Sequence, residues 1–474
     1  MGRGELLMKL VDSNRLDTAL TATANAIRDK DPNAAASIPW DLDTGFASAV
    51  SNIPTGGGGG PITGDDVRFY DYDGTLFAGY SAADFAALTE MPANPSHEGL
   101  TAQGWNWSLA DAKAYVAKYG KLNIGQMYIT DDGKTRIYIH LEKGRTSPML
   151  GVCPNGTVDV DWGDGTAHDT LTGTSTTTVK WTPTHNYAAP GDYVIKLTVT
   201  GSMGLLGSGA VIQGSSILRY SSPGNYINYT YRDAVKRVEI GNGVTSIGSS
   251  AFNYCGTLTS VTIPDGITSI GSNAFNCCYS LTNVIIPDGA TSIDGSAFSN
   301  CNSLASVIIP NGVTSIGSGV FQYCGSLTSV TIPDGVTSIG SNAFNCCYAL
   351  ASATIPDSIT SINDYAFIGC ASLINVVIPD GVTSISGNAF GDCHSFANVT
   401  IPDSVTHIGG SVFSGCYGVA EYHLFPITPP TLAYASAFNK IPDDCIIYVP
   451  QGSLEAYQTA TNWSTYASYM QEEP

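Results

Sequence analysis

Asp71 and Asp73 stand two residues apart in the run Val67-Arg68-Phe69-Tyr70-Asp71-Tyr72-Asp73-Gly74-Thr75-Leu76. In such a run one carboxylate could attack a phosphate while the second handles the proton. That chemistry needs Mg²⁺ to offset the paired charge, together with a later Lys and further acidic groups on a parallel sheet. Residues 77–146 show hairpin patterns instead of repeated strand–helix–strand units, so Asp73-Gly74 reads as a turn between Val67–Tyr72 and Thr75–Tyr80. Gly133-Lys134-Thr135 has the ending of a phosphate loop, but Tyr128 occupies the position its first glycine must fill, and it too reads as a turn. The metalloprotease pattern His-Glu-x-x-His does not occur.

A second set of reactive residues is periodic. Cys255, Cys278, Cys301, Cys324, Cys347, Cys370, Cys393 and Cys416 recur every 23 residues. The doublets Cys277-Cys278 and Cys346-Cys347 lie three repeats apart, roughly 14 Å at sheet spacing. They cannot share a zinc ion whose Zn–S bonds are about 2.3 Å. The ladder reads as free, buried thiols packing as small apolar groups. Asp265, Asp288, Asp334, Asp357, Asp380 and Asp403 share one phase, with Asn311 interrupting the row. Two carboxylates ~5 Å apart in water repel by about 0.8 kcal/mol, and no Lys or Arg lies between Gly241 and Ala420 to offset them. The row reads as copied turns. The sharper expectation is a metal edge responding weakly to Ca²⁺, and no other cofactor is suggested. Tyr254, Tyr279, Tyr323, Tyr348 and Tyr417, with His394, flank the ladder cysteines where the repeat varies. Aromatic side chains free of the core could stack on sugar rings or anchor a protein partner.

The elements that position these residues follow from the same period. Pro264, Pro287, Pro310, Pro333, Pro356, Pro379 and Pro402 keep the step, as do Phe252, Phe275, Phe298, Phe321, Phe344, Phe367, Phe390 and Phe413. In one unit Val261 and Ile263 alternate as a half-buried strand, Pro264-Asp265-Gly266 is turn chemistry, and Ala274-Phe275 suits a short helical or 3₁₀ turn. A single 23-residue coil cannot bury enough to offset its ordering entropy, so the units must stack in register, as a parallel sheet spanning roughly 40 Å. Residues 260–281 and 329–350 are nearly identical and lie 69 residues, three repeats, apart.

The pattern Ala-Phe-x-x-Cys-x-x-Leu-x-x-Val-x-Ile-Pro, as at Ala274, Phe275, Cys278, Leu281, Val284, Ile286 and Pro287, resembles the leucine-rich repeats of BspA-like bacterial surface proteins over residues 239–425. Val320 and Val412 replace the Ala, and Phe396 and Val419 the Leu. Residues 147–202 resemble a PKD-type immunoglobulin-like sandwich through Asp161-Trp162-Gly163-Asp164-Gly165-Thr166, His185-Asn186-Tyr187 and Pro190-Gly191-Asp192-Tyr193-Val194. That likeness implies an extracellular spacer or contact module. Leu20-Thr21-Ala22-Thr23-Ala24-Asn25-Ala26-Ile27-Arg28 and Gly45-Phe46-Ala47-Ser48-Ala49-Val50 are similar to the N-terminal segment of phage and prophage tail proteins. Asp71-Tyr72-Asp73-Gly74-Thr75 resembles the haloacid-dehalogenase nucleophile motif.

The chain is therefore expected to be multidomain and mainly β. A helical attachment segment (1–54, with helix over 5–30) and a Gly-rich linker (55–63) precede a small α+β hairpin module (64–146). In that module Ser108 should begin a helix over Leu109–Tyr119, and Gln126–Thr130 and Arg136–Leu141 should form a second hairpin around Asp132-Gly133. The PKD-type sandwich (147–202), a connector and N-terminal cap (203–238), the leucine-rich-repeat solenoid with parallel β-sheet (239–425) and a C-terminal cap (426–474) follow.

Composition narrows the function. With 20 Lys and Arg against 40 Asp and Glu the net charge is −20, which argues against nucleic acid. No stretch approaches the ~20 apolar residues of a membrane span, and the N-terminus lacks a signal-peptide core. A solenoid without an acid, base and nucleophile constellation is a recognition surface. The expected protein is non-enzymatic: a phage or prophage tail-associated, receptor-binding virion component. Its partners would be a host surface protein or glycan and tail or baseplate proteins, and it would be a homotrimer by analogy with fibres. A bacterial cell-surface BspA-like adhesin is the alternative, and a haloacid-dehalogenase-like phosphatase on 64–146 the second.

Overall fold

The computed structural model describes residues 64, 66–72, 75–205, 217–220 and 232–474. The expected N-terminal helix, the tail-protein likeness, the turn residues Asp73-Gly74 and the whole of the linker lie outside the described residues.

β1 (Val67–Tyr70) and β2 (Leu76–Tyr80) pair antiparallel. β1 also runs parallel to β4 (Leu122–Thr130), which pairs antiparallel with β3 (Leu100–Trp105), giving the sheet order β2-β1-β4-β3. Helix α1 covers Ala82–Ala87 and α2 covers Leu109–Tyr119. Ser108 caps α2 by accepting from the Asp111 N–H, and Gly120 ends it in the left-handed conformation at φ 79°. Phe69, Phe85, Trp105, Trp107 and Tyr115 fill the core between sheet and helices.

The second expected hairpin does not form. The chain does turn at Gly133, whose N–H donates to Thr130 O. It then leaves the small sheet, and β5 (Thr135–Leu141) pairs antiparallel with β9 (Gly191–Leu205) on one side and β11 (Val235–Glu239) on the other. The reason is burial. Thr135, Ile137, Ile139 and Leu141 form one fully apolar-facing row that needs a large core beneath it, and the small sheet has none to spare. β6 (Pro148–Asp161) pairs with β7 (Asp169–Thr174), β8 (Lys180–Trp181), β9 and β10 (Leu218–Tyr220). The Trp-Gly-Asp-Gly loop is knitted to this sheet. The His185 ring stacks on Trp162 at 4.5 Å, and the Tyr187 hydroxyl donates to Trp162 O at 2.9 Å.

The 23-residue units coil into a solenoid with two parallel ladders. One begins at β11 and pairs it with Ser260–Thr262, then resumes with Asn283–Ile285, Ser306–Ile308 and Ser329–Thr331. The other begins at β12 (Val244–Ile247) and continues through Ser269–Ile270 and Ser292–Ile293. β5 covers the free edge of the first ladder, and Met203–Leu205 of β9 pairs with β12 at the start of the second. An open parallel edge would otherwise invite pairing with another chain. Capping thus falls largely to a strand expected in the 64–146 module, not to 203–238 alone. At the other end Ile446–Val449 and Met470–Glu472 extend the ladder, and Tyr457, Trp463 and Tyr466 pack under Phe438.

Inside, the phenylalanines stack ring on ring, with centroids between 5.1 Å (Phe344–Phe367) and 5.7 Å (Phe298–Phe321) apart. The ladder cysteines from Cys278 to Cys416 each donate the S–H to a phenylalanine carbonyl of the preceding rung, as Cys301 does to Phe275 O at 3.2 Å. All twelve cysteines are free thiols, and burial pushes the ladder thiols up, Cys324 to about 12. The Ala-Phe segment is a turn, not the expected helical or 3₁₀ piece, because it is bracketed by two left-handed residues per rung, such as Asn273 (φ 57°) and Cys277 (φ 60°).

Candidate functional site

The left-handed positions make two columns up one edge of the solenoid. Gly319, Gly369 and Gly415 occupy them in some rungs, and glycine takes this conformation without cost. In other rungs the same positions hold Tyr254 (φ 61°), Tyr323 (φ 60°) and Tyr365 (φ 59°). A left-handed residue with a Cβ costs roughly 1–2 kcal/mol. These rings are not repaid by burial, being 45%, 42% and 41% exposed. The backbone therefore does not explain the choice of tyrosine there.

The predicted aromatic residues fall on this edge and come together in pairs. Tyr279 lies beside Tyr254. Its hydrogen bond with the Cys277 side chain, together with partial burial, pushes the phenol up to about 12. Tyr348 repeats the arrangement with Cys346 and Tyr323. The Tyr279 ring passes over Gly256, where an added Cβ would meet the ring at 3.2 Å, and Tyr348 passes over Gly325 at 3.6 Å. In the third pair His394 stacks against Tyr417, centroids 5.3 Å apart, and an imidazole nitrogen lies 2.9 Å from Gly415 O. A groove of about 810 Å³ joins Tyr348 to His394 and Tyr417, lined also by Asn342, Asn345, Tyr365 and Asp392. Tyr365, Asn342, Asn345 and Asp392 were missed from sequence. The signal available was the anomalous tyrosine at 365 in a column of Asn, Ser and Gly.

The aspartate row divides. Asp334 and Asp357 both receive Lys118 of α2, at 3.4 and 3.0 Å, and Asp334 also accepts the Tyr119 hydroxyl. The Asp265 backbone N–H donates to Gln103. Crowding by the packed module, then Asp265 and Asp111, pushes the Asp288 carboxyl up to about 7. Asp380 and Asp403 point into solvent. The counter-charge absent from 241–420 is thus brought in by α2. Among the described residues, no group of three or more His, Cys, Asp or Glu side chains is arranged to hold a metal ion.

Asp71 is buried at the end of β1. One carboxylate oxygen accepts the Tyr72 N–H at 2.8 Å, and the other lies 2.6 Å from His97 Nε2, whose ring sits edge-on to Tyr72 and Tyr128. Both oxygens are thus engaged within the fold, by Tyr72 and His97.

The BspA-type leucine-rich repeat region model matches residues 226–351 and 291–420. No curated protein matches the chain. Among solved structures, the leucine-rich repeat protein of T. pallidum is 34% identical over 33% of this chain and 74% of its own, with TM-score 0.32. A leucine-rich repeat protein from Bacteroides ovatus is 24% identical over 50% of this chain and 77% of its own, with TM-score 0.35. A leucine rich cell surface protein from Faecalibacterium prausnitzii is 24% identical over 53% of this chain and 89% of its own, with TM-score 0.25. The solenoid of 23-residue units with this cysteine and phenylalanine ladder, matched over residues 226–420, is of the BspA-type leucine-rich repeat family.

Proposed function

We propose that this protein is a surface-displayed, non-enzymatic binding protein of the adhesin type, and that the aromatic edge of its solenoid is the contact surface. The observation that carries this reading is the placement of Tyr254, Tyr323 and Tyr365 in left-handed positions that glycine fills elsewhere, with their rings exposed. The same left-handed positions elsewhere hold small residues such as Ser250, Asn273, Asn300, Asp392 and Gly415, so a large exposed ring held there is the mark of a residue kept for contact and not for folding. In this reading residues 147–202, with their PKD-type motif, serve as a spacer. The tail-attachment reading rests on Leu16–Ile53, which lies outside the described residues, and the family of the repeats favours the adhesin over the virion component. The partner is a protein or glycan on a neighbouring surface.

The test is adhesion. The full chain coupled to beads should attach to bacterial or host cells. A Tyr279→Ala, Tyr348→Ala, Tyr417→Ala triple variant should lose that attachment with an unchanged melting temperature. Equal attachment by the triple variant removes the aromatic edge as the contact surface.

A further inference from the structure

Tyr279, Tyr348 and Tyr417 are each separated by 69 residues, three turns of the solenoid. At about 4.8 Å per rung their subsites repeat at roughly 14 Å along the axis. The surroundings of the first two repeat with them, Tyr254 and Cys277 at the first and Tyr323 and Cys346 at the second. At the third, Asp392 and Gly415 take those two positions, and His394 stands where Gly256 and Gly325 do. The rings are also held in comparable ways. Gly256 and Gly325 of the preceding rungs leave room for Tyr279 and Tyr348 to lie across the backbone, while His394 supports Tyr417 from the same rung position.

From this we infer that the edge carries three in-phase aromatic subsites for one linear, uncharged polysaccharide laid along the solenoid axis. The inference rests on the adhesin reading and names its ligand class. Three observations select that class. A site repeated at a fixed interval is satisfied by a ligand that presents the same group at a fixed interval. A repeating glycan does so, and the surface of a folded protein does not. The groove between the second and third subsites offers amides at Asn342 and Asn345 and a carboxylate at Asp392 beside aromatic faces. Flat rings take the C–H faces of sugars while amides and carboxylates bond their hydroxyls. The charge disfavours the anionic polymers: no Lys or Arg lies between Gly241 and Ala420, so phosphate, sulfate or uronate groups would find no permanent cation on the repeats and would be repelled by carboxylates such as Asp392. Three modest subsites on one chain act by avidity, so affinity depends on whether a ligand spans more than one of them.

The test uses the full chain against soluble neutral glucans, mannans, xylans and chitin-type oligomers, with heparin as the anionic comparison. Retardation in affinity gels comes first, and titration with a length series of the retained glycan follows. The expected result is that at least one neutral glycan is retained and heparin is not. Affinity rises by tenfold or more once the oligomer spans two subsites. Tyr279→Ala, Tyr348→Ala and Tyr417→Ala each weaken binding several-fold, the Tyr→Phe variants do not, and the triple alanine variant loses binding. All six single substitutions are at exposed rings, so an unchanged melting temperature separates lost contacts from lost fold. Retention of no neutral glycan, or retention with no length dependence, overturns the inference. If the triple variant still abolishes cell attachment in that case, the partner is a protein and the adhesin reading stands. If attachment is also unchanged, the adhesin reading falls with it.

Discussion

The Lys118 ammonium of helix α2 lies 3.0 Å from the Asp357 carboxylate of the solenoid, and on its other side 3.4 Å from Asp334. One cation from the small module thus bridges two successive aspartates of a row that carries no cation of its own. Lys118 is held more firmly protonated by its bonds with Tyr119 and Asp357. The bridge is partly exposed, so its contribution is small and salt-sensitive. Lys118→Ala should lower stability by less than about 1 kcal/mol. It should raise amide exchange in Leu109–Tyr119 more than elsewhere, and the effect should shrink at high salt.

Gly125 of β4 packs directly against the solenoid. A Cβ there would come within 2.8 Å of the Ile285 side chain, and Asn106 already bonds the Gly125 N–H at 2.8 Å from the other side. Gly125→Val should therefore destabilise by about 1–3 kcal/mol through overpacking. Thermal unfolding should show it, and Ile285→Ala in the same chain should recover part of the loss.

Asp288 gives a pH dependence with a definite sign. Its carboxyl is raised from 3.8 to about 7 by crowding, Asp265 and Asp111, so the folded protein favours the protonated form. Its stabilising contribution is complete below pH ~4 and is lost as pH rises through about 7. The side chain keeps a solvent-open face, which limits the size. Asp288→Asn should melt about 1–3 °C above the parent at pH 8 and together with it near pH 4.

Thiol chemistry should follow burial. The ladder cysteines are fully buried, and burial raises their pKa, whereas Cys346 is only half-buried. A thiol reagent at neutral pH should label Cys346 first in the native protein and reach the ladder only on unfolding. Rapid native labelling of Cys301 or Cys370 would contradict a closed coil.

Tyr323→Gly should separate stability from binding. Gly369 and Gly415 show that glycine fits this column, and the left-handed φ of 60° costs tyrosine what glycine is spared. Against glycine's greater unfolded-state entropy, the expected change is between zero and a gain of about 1 kcal/mol. Cell attachment should weaken in the same variant. A clear loss of stability would mean the ring is structural.

Periodicity and capping chemistry were legible before any coordinates. Three residue types recurring every 23 positions leave a stacked coil as the way to bury Phe275, Cys278 and Leu281 together, and Ser108 with Gly120 bounds a helix by short-range hydrogen bonding alone. Both are properties of neighbours or of identical copies, so the chain states them locally. Which edge β5 would cover, and that Lys118 would settle between Asp334 and Asp357, depended on matching surfaces far apart along the chain. An alternating strand pairs wherever a core of the right size is free, and its own sequence does not say where. The aromatic edge lies between the two cases. The sequence alone put Tyr279, Tyr348 and Tyr417 in one phase, but only the folded backbone set Tyr254, Tyr323 and Tyr365 on the same edge in the left-handed conformation that glycine takes in other rungs.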